Sequence, residues 1–163
     1  MTDEMTSLGE RIVAAVLDSG IAEREEIEGC SEREITRVES TCGVVLPSGY
    51  KSFLRHLGRS SGDFLRGYTC HYPKILAVQS KVERKFGEDG VDPTFGESEY
   101  VFAGSQDVTF YYFDTQNPYP DPPVHVFAEG YGDPEKHAES LSDWLLDHVE
   151  KQSNSSLDDF LEM

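Results

Sequence analysis

Apolar residues recur with helical spacing in five parts of the chain and with strand spacing in stretches between them. From Leu46 to Gly58 the stripe is Tyr50, Phe53, Leu54 and Leu57, at i, i+3, i+4 and i+7, which predicts a core helix of roughly three turns. Pro47 pushes Leu46 into an extended conformation, so this helix starts after the pair, with Ser48 as N-cap and Gly58 as the φ > 0 residue that closes it. Before it, Ser31 followed by Glu34 is a capping-box signature, and Ile35, Val38 and Cys42 line one face up to Gly43. The two helices are expected to pair as a hairpin across Val44–Leu46. Upstream, residues 1–19 read as an amphipathic helix with Leu8, Ile12, Ala15 and Val16 on one face, capped by Thr2 or Thr6 and ended by Gly20. Ile21–Cys30, rich in glutamate, reads as a solvated connector or short exposed helix.

Past Gly58 the periods alternate. Phe64–Tyr72 predicts a strand; Pro73 then opens a helix carrying Ile75, Val78, Val82 and Phe86, and Gly87–Gly96 is a loop. Tyr100–Ala103, Val108–Phe113 and Val124–Ala128 predict strands. The middle one is apolar on both faces and is expected at the centre of a covered sheet. Asp114–Pro123 holds four prolines, a density of missing N–H groups that no ladder tolerates, so it is a loop, as is acidic Glu129–Glu139. Ser140 then caps a helix with Leu141, Trp144, Leu145 and His148, and after Lys151 the chain reads as a polar tail on which Leu157, Phe160 and Leu161 offer one last turn. The expected fold is α+β: a mostly antiparallel twisted sheet of about five or six strands with helices packed against it. One domain covers residues 1–150, with 31–150 as its core, 1–30 as an N-terminal helical extension and 151–163 as the tail.

Charge changes this picture more than length does. The net charge is −17, distributed as −7 over residues 1–34, +4 over 35–90 and −14 over 91–163. Such a field repels nucleic acid and anionic lipid and attracts basic proteins from a distance, so neither nucleic acid nor membrane is an expected partner. The absence of a basic leader and of an 18-residue apolar run predicts an unexported, cytoplasmic protein, monomeric or weakly dimeric. Cys30, Cys42 and Cys70 show no Cys-x-x-Cys spacing, which fits reduced thiols and argues against a disulfide framework or a zinc knuckle.

Motifs for chemistry are missing. None of the five histidines lies in a His-x-x-x-His or His-Glu-x-x-His pattern, phosphate loops do not occur, and Asp114–Asp121 lacks a calcium-loop ladder. No metal or cofactor is expected. A nucleophile assembled from Cys70, His71 and His125 is a catalytic arrangement that spacing leaves open. What stands out instead is a surface in which Tyr119, Tyr131 and Tyr112 accompany Asp114, Asp121, Glu129, Asp133 and Glu135. Aromatic anchors ringed by charge of one sign suit an interface with a basic protein.

The order Ile35-x-x-x-Glu39-x-x-x-Gly43-Val44-x-Leu46-Pro47-x-x-Tyr50-x-x-Phe53-Leu54-x-x-x-Gly58 resembles the N-terminal signature of the SUKH superfamily, which includes fungal cell-wall-assembly regulators and many bacterial immunity proteins. The Phe110–Phe113 strand, Pro123-Val124-His125-Val126 and Ser140-Leu141-x-x-Trp144-Leu145 resemble its later blocks, in order. The resemblance implies an α+β fold without catalysis, and a cytoplasmic immunity protein that neutralises a cognate toxin, often a nuclease, by binding it. The −14 segment would then act as a nucleic-acid mimic. A regulatory scaffold of the fungal kind is the alternative. Leu46, Pro47, Tyr50, Phe53 and Trp144 are shared with the family and are core positions by period, so they carry fold and not function.

Overall fold

A computed structural model describes residues 7–79, 99–105, 109–116, 120–128 and 135–161, with side chains omitted at 128, 135 and 154–161. In chain order the elements are α1 (Leu8–Ser19), a 3₁₀ turn (Arg24–Glu26), β1 (Ile27–Glu28), α2 (Glu32–Cys42), α3 (Ser48–Leu57), β2 (Ser60–Ser61) and β3 (Tyr68–Thr69). Residues 74–79 form the described part of α4. Then come β4 (Glu99–Ser105), β5 (Thr109–Asp114), β6 (Val124–Ala128), β7 (Glu135–Ala138) and α5 (Leu141–Leu161). Strands β3-β4-β5-β6-β7 make one antiparallel sheet in that order, and β1 and β2 make a small second one. The fold is α+β, and aromatic β5 is the central strand, as its two apolar faces require.

Local chemistry explains most boundaries. The Ser7 hydroxyl accepts the Glu10 amide to start α1, and Gly20, at φ 76°, ends it. The cap is thus Ser7 and not Thr2 or Thr6, which lie outside the described residues. The α2 capping box is made by Ser31 and Glu34, with Gly43 left-handed at φ 69°. At α3 the cap differs from the reading: Pro47 is the N-cap and Ser48 is already helical. No side chain is needed there, because the Pro120 carbonyl accepts the Gly49 amide at 2.8 Å. Gly58 also differs, staying in the right-handed region at φ −66°. Space and not dihedral freedom selects glycine there, since a Cβ would stand 2.5 Å from both Cys30 Sγ and the Leu54 carbonyl oxygen.

The helix pairing expected between α2 and α3 is made mostly through side-chain ion pairs: Arg55 with Glu32, Arg59 with Glu34, and Lys51 with Glu39 at 3.8 Å. The broad packing of α3 is against α1, whose Ile12 and Val16 are fully buried. Glu39 has a second task, accepting the Leu46 amide at 2.8 Å and so fixing the extended link between the helices. Beneath α3 the rings of Tyr50, Tyr100, Phe102 and Phe113 interlock, with the two tyrosine hydroxyls 2.9 Å apart in the buried centre.

Three sequence readings are corrected. Of the Phe64–Tyr72 strand only Tyr68 and Thr69 pair; Phe64 and Leu65 are buried in a turn, Leu65 at φ 63°. Within the stretch read as the Glu129–Glu139 loop, residues 135–138 form edge strand β7, unrecognised because Lys136 and His137 are exposed and polar, as suits an edge. The run after Lys151 is helical to Leu161, since Gln152 accepts the Leu65 amide and donates to the Asp63 carbonyl, both at 2.8 Å. Tertiary bonds thus override weak local propensity. Helix α4 begins at residue 74, after Pro73, and its read positions Val82 and Phe86, with the Gly87–Gly96 loop, lie outside the described residues.

Candidate functional site

Of the residues expected at an interface, Asp114 stands exposed at the end of β5, where its Oδ1 accepts the Gln116 amide at 2.9 Å. Asp121 is half-buried, and its carboxylate accepts the Ser142 amide at 2.8 Å and the Ser142 hydroxyl at 2.5 Å. It therefore helps the Ser140 hydroxyl, which accepts the Asp143 amide, to start α5. The backbone of Glu135 pairs with Val126 in β7. Tyr119, Glu129, Tyr131 and Asp133 lie outside the described residues. Tyr112, expected beside them, is buried and stacks on His125 with centroids 5.4 Å apart.

The helices add acids that loop reading missed. Asp143, Asp147 and Glu150 are exposed at steps of four and three along α5, a spacing that places them on one face. Exposed Glu10 and Asp18 continue the same sign on α1, which packs against α5. Meanwhile Arg55 and Arg59, which help make the middle segment positive, are matched to Glu32 and Glu34. The Arg59 guanidinium holds the Glu34 carboxyl down at about 2.

Between the first turns of α1 and α3 lies an open cleft of about 750 Å³, walled by Glu10, Arg11, Ser48, His56 and Asp121 among others. Helix N-termini attract anions only through free amides. Here the Gly9 amide is taken by Ser52 Oγ, that of Glu10 by Ser7 Oγ and that of Gly49 by the Pro120 carbonyl. The wall carries both signs, Glu10 and Asp121 with Arg11 and Arg55, and Arg55 is already paired with Glu32, so nothing in it singles out a phosphate.

Of the Cys70, His71 and His125 arrangement, the Cys70 and His71 pair is resolved by counting protons. Ser61 Oγ donates to the Phe64 carbonyl at 3.0 Å, so its only remaining role towards His71 Nε2, 2.8 Å away, is acceptor. Nε2 therefore carries the proton and Nδ1 is bare, 3.7 Å from Cys70 Sγ. Burial pushes the Cys70 thiol up to about 12 and His71 down from its ordinary value. The pair is neutral on both sides, which opposes a thiolate nucleophile. His71 lies in a turn and not on a strand. His148 is equally constrained: its Nδ1–H donates to the Trp144 carbonyl at 2.8 Å, and Nε2 accepts the Tyr68 hydroxyl at 3.0 Å. His56 donates through Nδ1 to the Ser52 carbonyl. Among the described residues no three His, Cys, Asp or Glu side chains group to hold a metal, and no helix is long and apolar enough to cross a membrane.

One cluster escaped the sequence reading. Tyr111 lies 5.2 Å from Trp144, 5.3 Å from His137 and 5.9 Å from Tyr68, measured between ring centroids. Trp144 and His148 are buried, Tyr68 and Tyr111 half-buried and His137 exposed. Among the described residues the Trp144 Nε1–H meets no acceptor in this setting of rings. The signal was the double-faced aromatic strand, whose face towards α5 could not be told from the core.

In comparison with known proteins, residues 32–145 match a family model described as SUKH_6, SMI1-KNR4 cell-wall. The match starts at the first residue of α2 and ends within α5, leaving α1 outside. Among curated proteins none matches the chain.

Proposed function

Because the chain belongs to the SMI1-KNR4 cell-wall family of the SUKH superfamily, we propose that it is a cytoplasmic immunity protein which binds a cognate basic toxin domain, of nuclease type, and blocks it. Membership in this family supports a non-catalytic role of the immunity or cell-wall-regulator kind. The observation that carries the finer reading is the net charge of −17, with the exposed row Asp143, Asp147 and Glu150 on α5. A nuclease must itself attract a polyanion, so an acidic, rigid surface competes for the same site. The protonation pattern at Ser61, His71 and Cys70 agrees with a role by docking.

Electrostatic steering raises association rates by roughly 10- to 10³-fold and weakens with salt. The test is to co-express the chain with the C-terminal domain of a large polypeptide encoded immediately upstream of it, and to measure association at rising ionic strength. Protection of the host with a steep salt dependence is expected. An on-rate indifferent to salt removes the electrostatic part, and loss of protection on C70A/H71A/H125A with unchanged binding and folding restores catalysis. The scaffold reading is favoured by the family description itself; recovery of several weak partners in place of one tight one supports it.

A further inference from the structure

We propose that the partner is anchored on the aromatic shelf of Tyr68, Tyr111 and His137, with an arginine or lysine of the partner seated over these rings. This rests on reading the chain as the binder of a basic protein. Three observations lead there. First, the rings are continuous: Tyr111 bridges Tyr68 at 5.9 Å and His137 at 5.3 Å. The π faces of the two tyrosines carry partial negative charge that attracts a cation.

Second, the shelf is held from behind. Tyr68 donates to His148, which donates to the Trp144 carbonyl, and Trp144 packs against both tyrosines at 5.6 and 5.2 Å. Side chains already fixed lose little freedom on binding, which is what distinguishes an anchor from a flexible surface ring.

Third, two of the cations nearest in sequence, both lysines, are neutralised, while Arg66 stands exposed two residues before Tyr68. Lys136, beside His137 on β7, pairs with Glu139 at 2.8 Å, and Lys151, one turn along from His148, pairs with Asp147 at 2.9 Å. The tyrosine faces, in a chain of net charge −17 and with these two lysines paired, suit a guanidinium or ammonium and not a carboxylate or phosphate.

The variants are Y111L, Y111F and H137A, assayed against the upstream-encoded toxin domain. Y111L and H137A should each weaken binding by about 2- to 30-fold, mainly by faster dissociation, while Y111F stays near wild type and the salt dependence of association is unchanged. His137 is exposed, so H137A keeps the fold even where Y111L disturbs Trp144; thermal melts separate the two. As a probe independent of the toxin, N-acetyl-arginine amide at tens of millimolar should shift the Tyr111 and His137 ring resonances ahead of Tyr112 and His125. Wild-type binding by both Y111L and H137A, with protection intact, overturns the shelf and leaves the proposed function standing. Uniform ring shifts count against the shelf as well. Failure of the wild-type chain to bind or protect removes both.

Discussion

The carboxylate of Asp121 accepts the amide and the hydroxyl of Ser142, 21 positions further on, at 2.8 and 2.5 Å. A residue in the proline-rich loop thereby starts the last helix, while its neighbour Pro120 receives the Gly49 amide at the first turn of α3. Replacing Asp121 by alanine is expected to lower stability by about 1–2 kcal/mol, the usual cost of losing a helix cap. Urea unfolding measures it, and a change below a few tenths of a kcal/mol would show that Ser142 finds another acceptor.

Gln79 is a second such tie. Its amide donates to the Val101 carbonyl and accepts the Val101 N–H, pairing with β4 as a strand residue would. Gln79→Ala leaves both backbone groups unpaired and should cost about 1–3 kcal/mol. Hydrogen exchange at the Val101 amide should quicken with it; Gln79→Glu keeps the acceptor only and should fall between the two.

Helix α1 lies before the family match, which begins at residue 32, yet Ile12 is fully buried against the core. Ile12→Ala should destabilise by about 2–5 kcal/mol, read as a fall in urea midpoint with the slope preserved. A loss under 1 kcal/mol would mark α1 as an appendage.

Acid should weaken the fold in two separable steps. Burial lowers the His71, His125 and His148 pKa values from 6.5. Since the unfolded chain binds these protons more readily, stability is complete above about 6.5 and declines as pH falls below it, by up to about 1.4 kcal/mol per unit for each fully coupled group. His125 contributes less because solvent screens it. The Glu32 and Glu34 carboxyls, lowered by hydrogen bonds from Arg55 and Arg59, respond only below 4.5, Glu34 down to about 2. Urea midpoints between pH 7.5 and 5 therefore isolate the histidines, and His148→Gln should flatten that limb.

Where packing and local bonding agree, the chain could be read directly: the Ser31 and Glu34 box, the Tyr50 stripe, the centrality of β5 and the Ser140 cap all follow from residues close in sequence. What escaped depends on distant partners. Ser48 yields its capping role because the Pro120 carbonyl arrives from elsewhere, Gly58 is required by the Cys30 sulfur and not by its own φ, and β7 is a strand only because β6 lies beside it. The acids proposed for an interface followed the same division. Their number was visible in composition, but the row on α5 needed the helix, and the removal of Asp121 into a capping role needed Ser142.

The grip of Gln152 on the Asp63–Leu65 turn also has a timing. Its acceptor bond joins positions 87 apart, and at synthesis rates of about 5–20 residues per second the turn waits on the order of ten seconds for its clasp. Until then the Asp63–Leu65 turn lacks its two bonds from α5, so the nascent chain passes through a sticky interval in which a chaperone would meet a half-closed molecule.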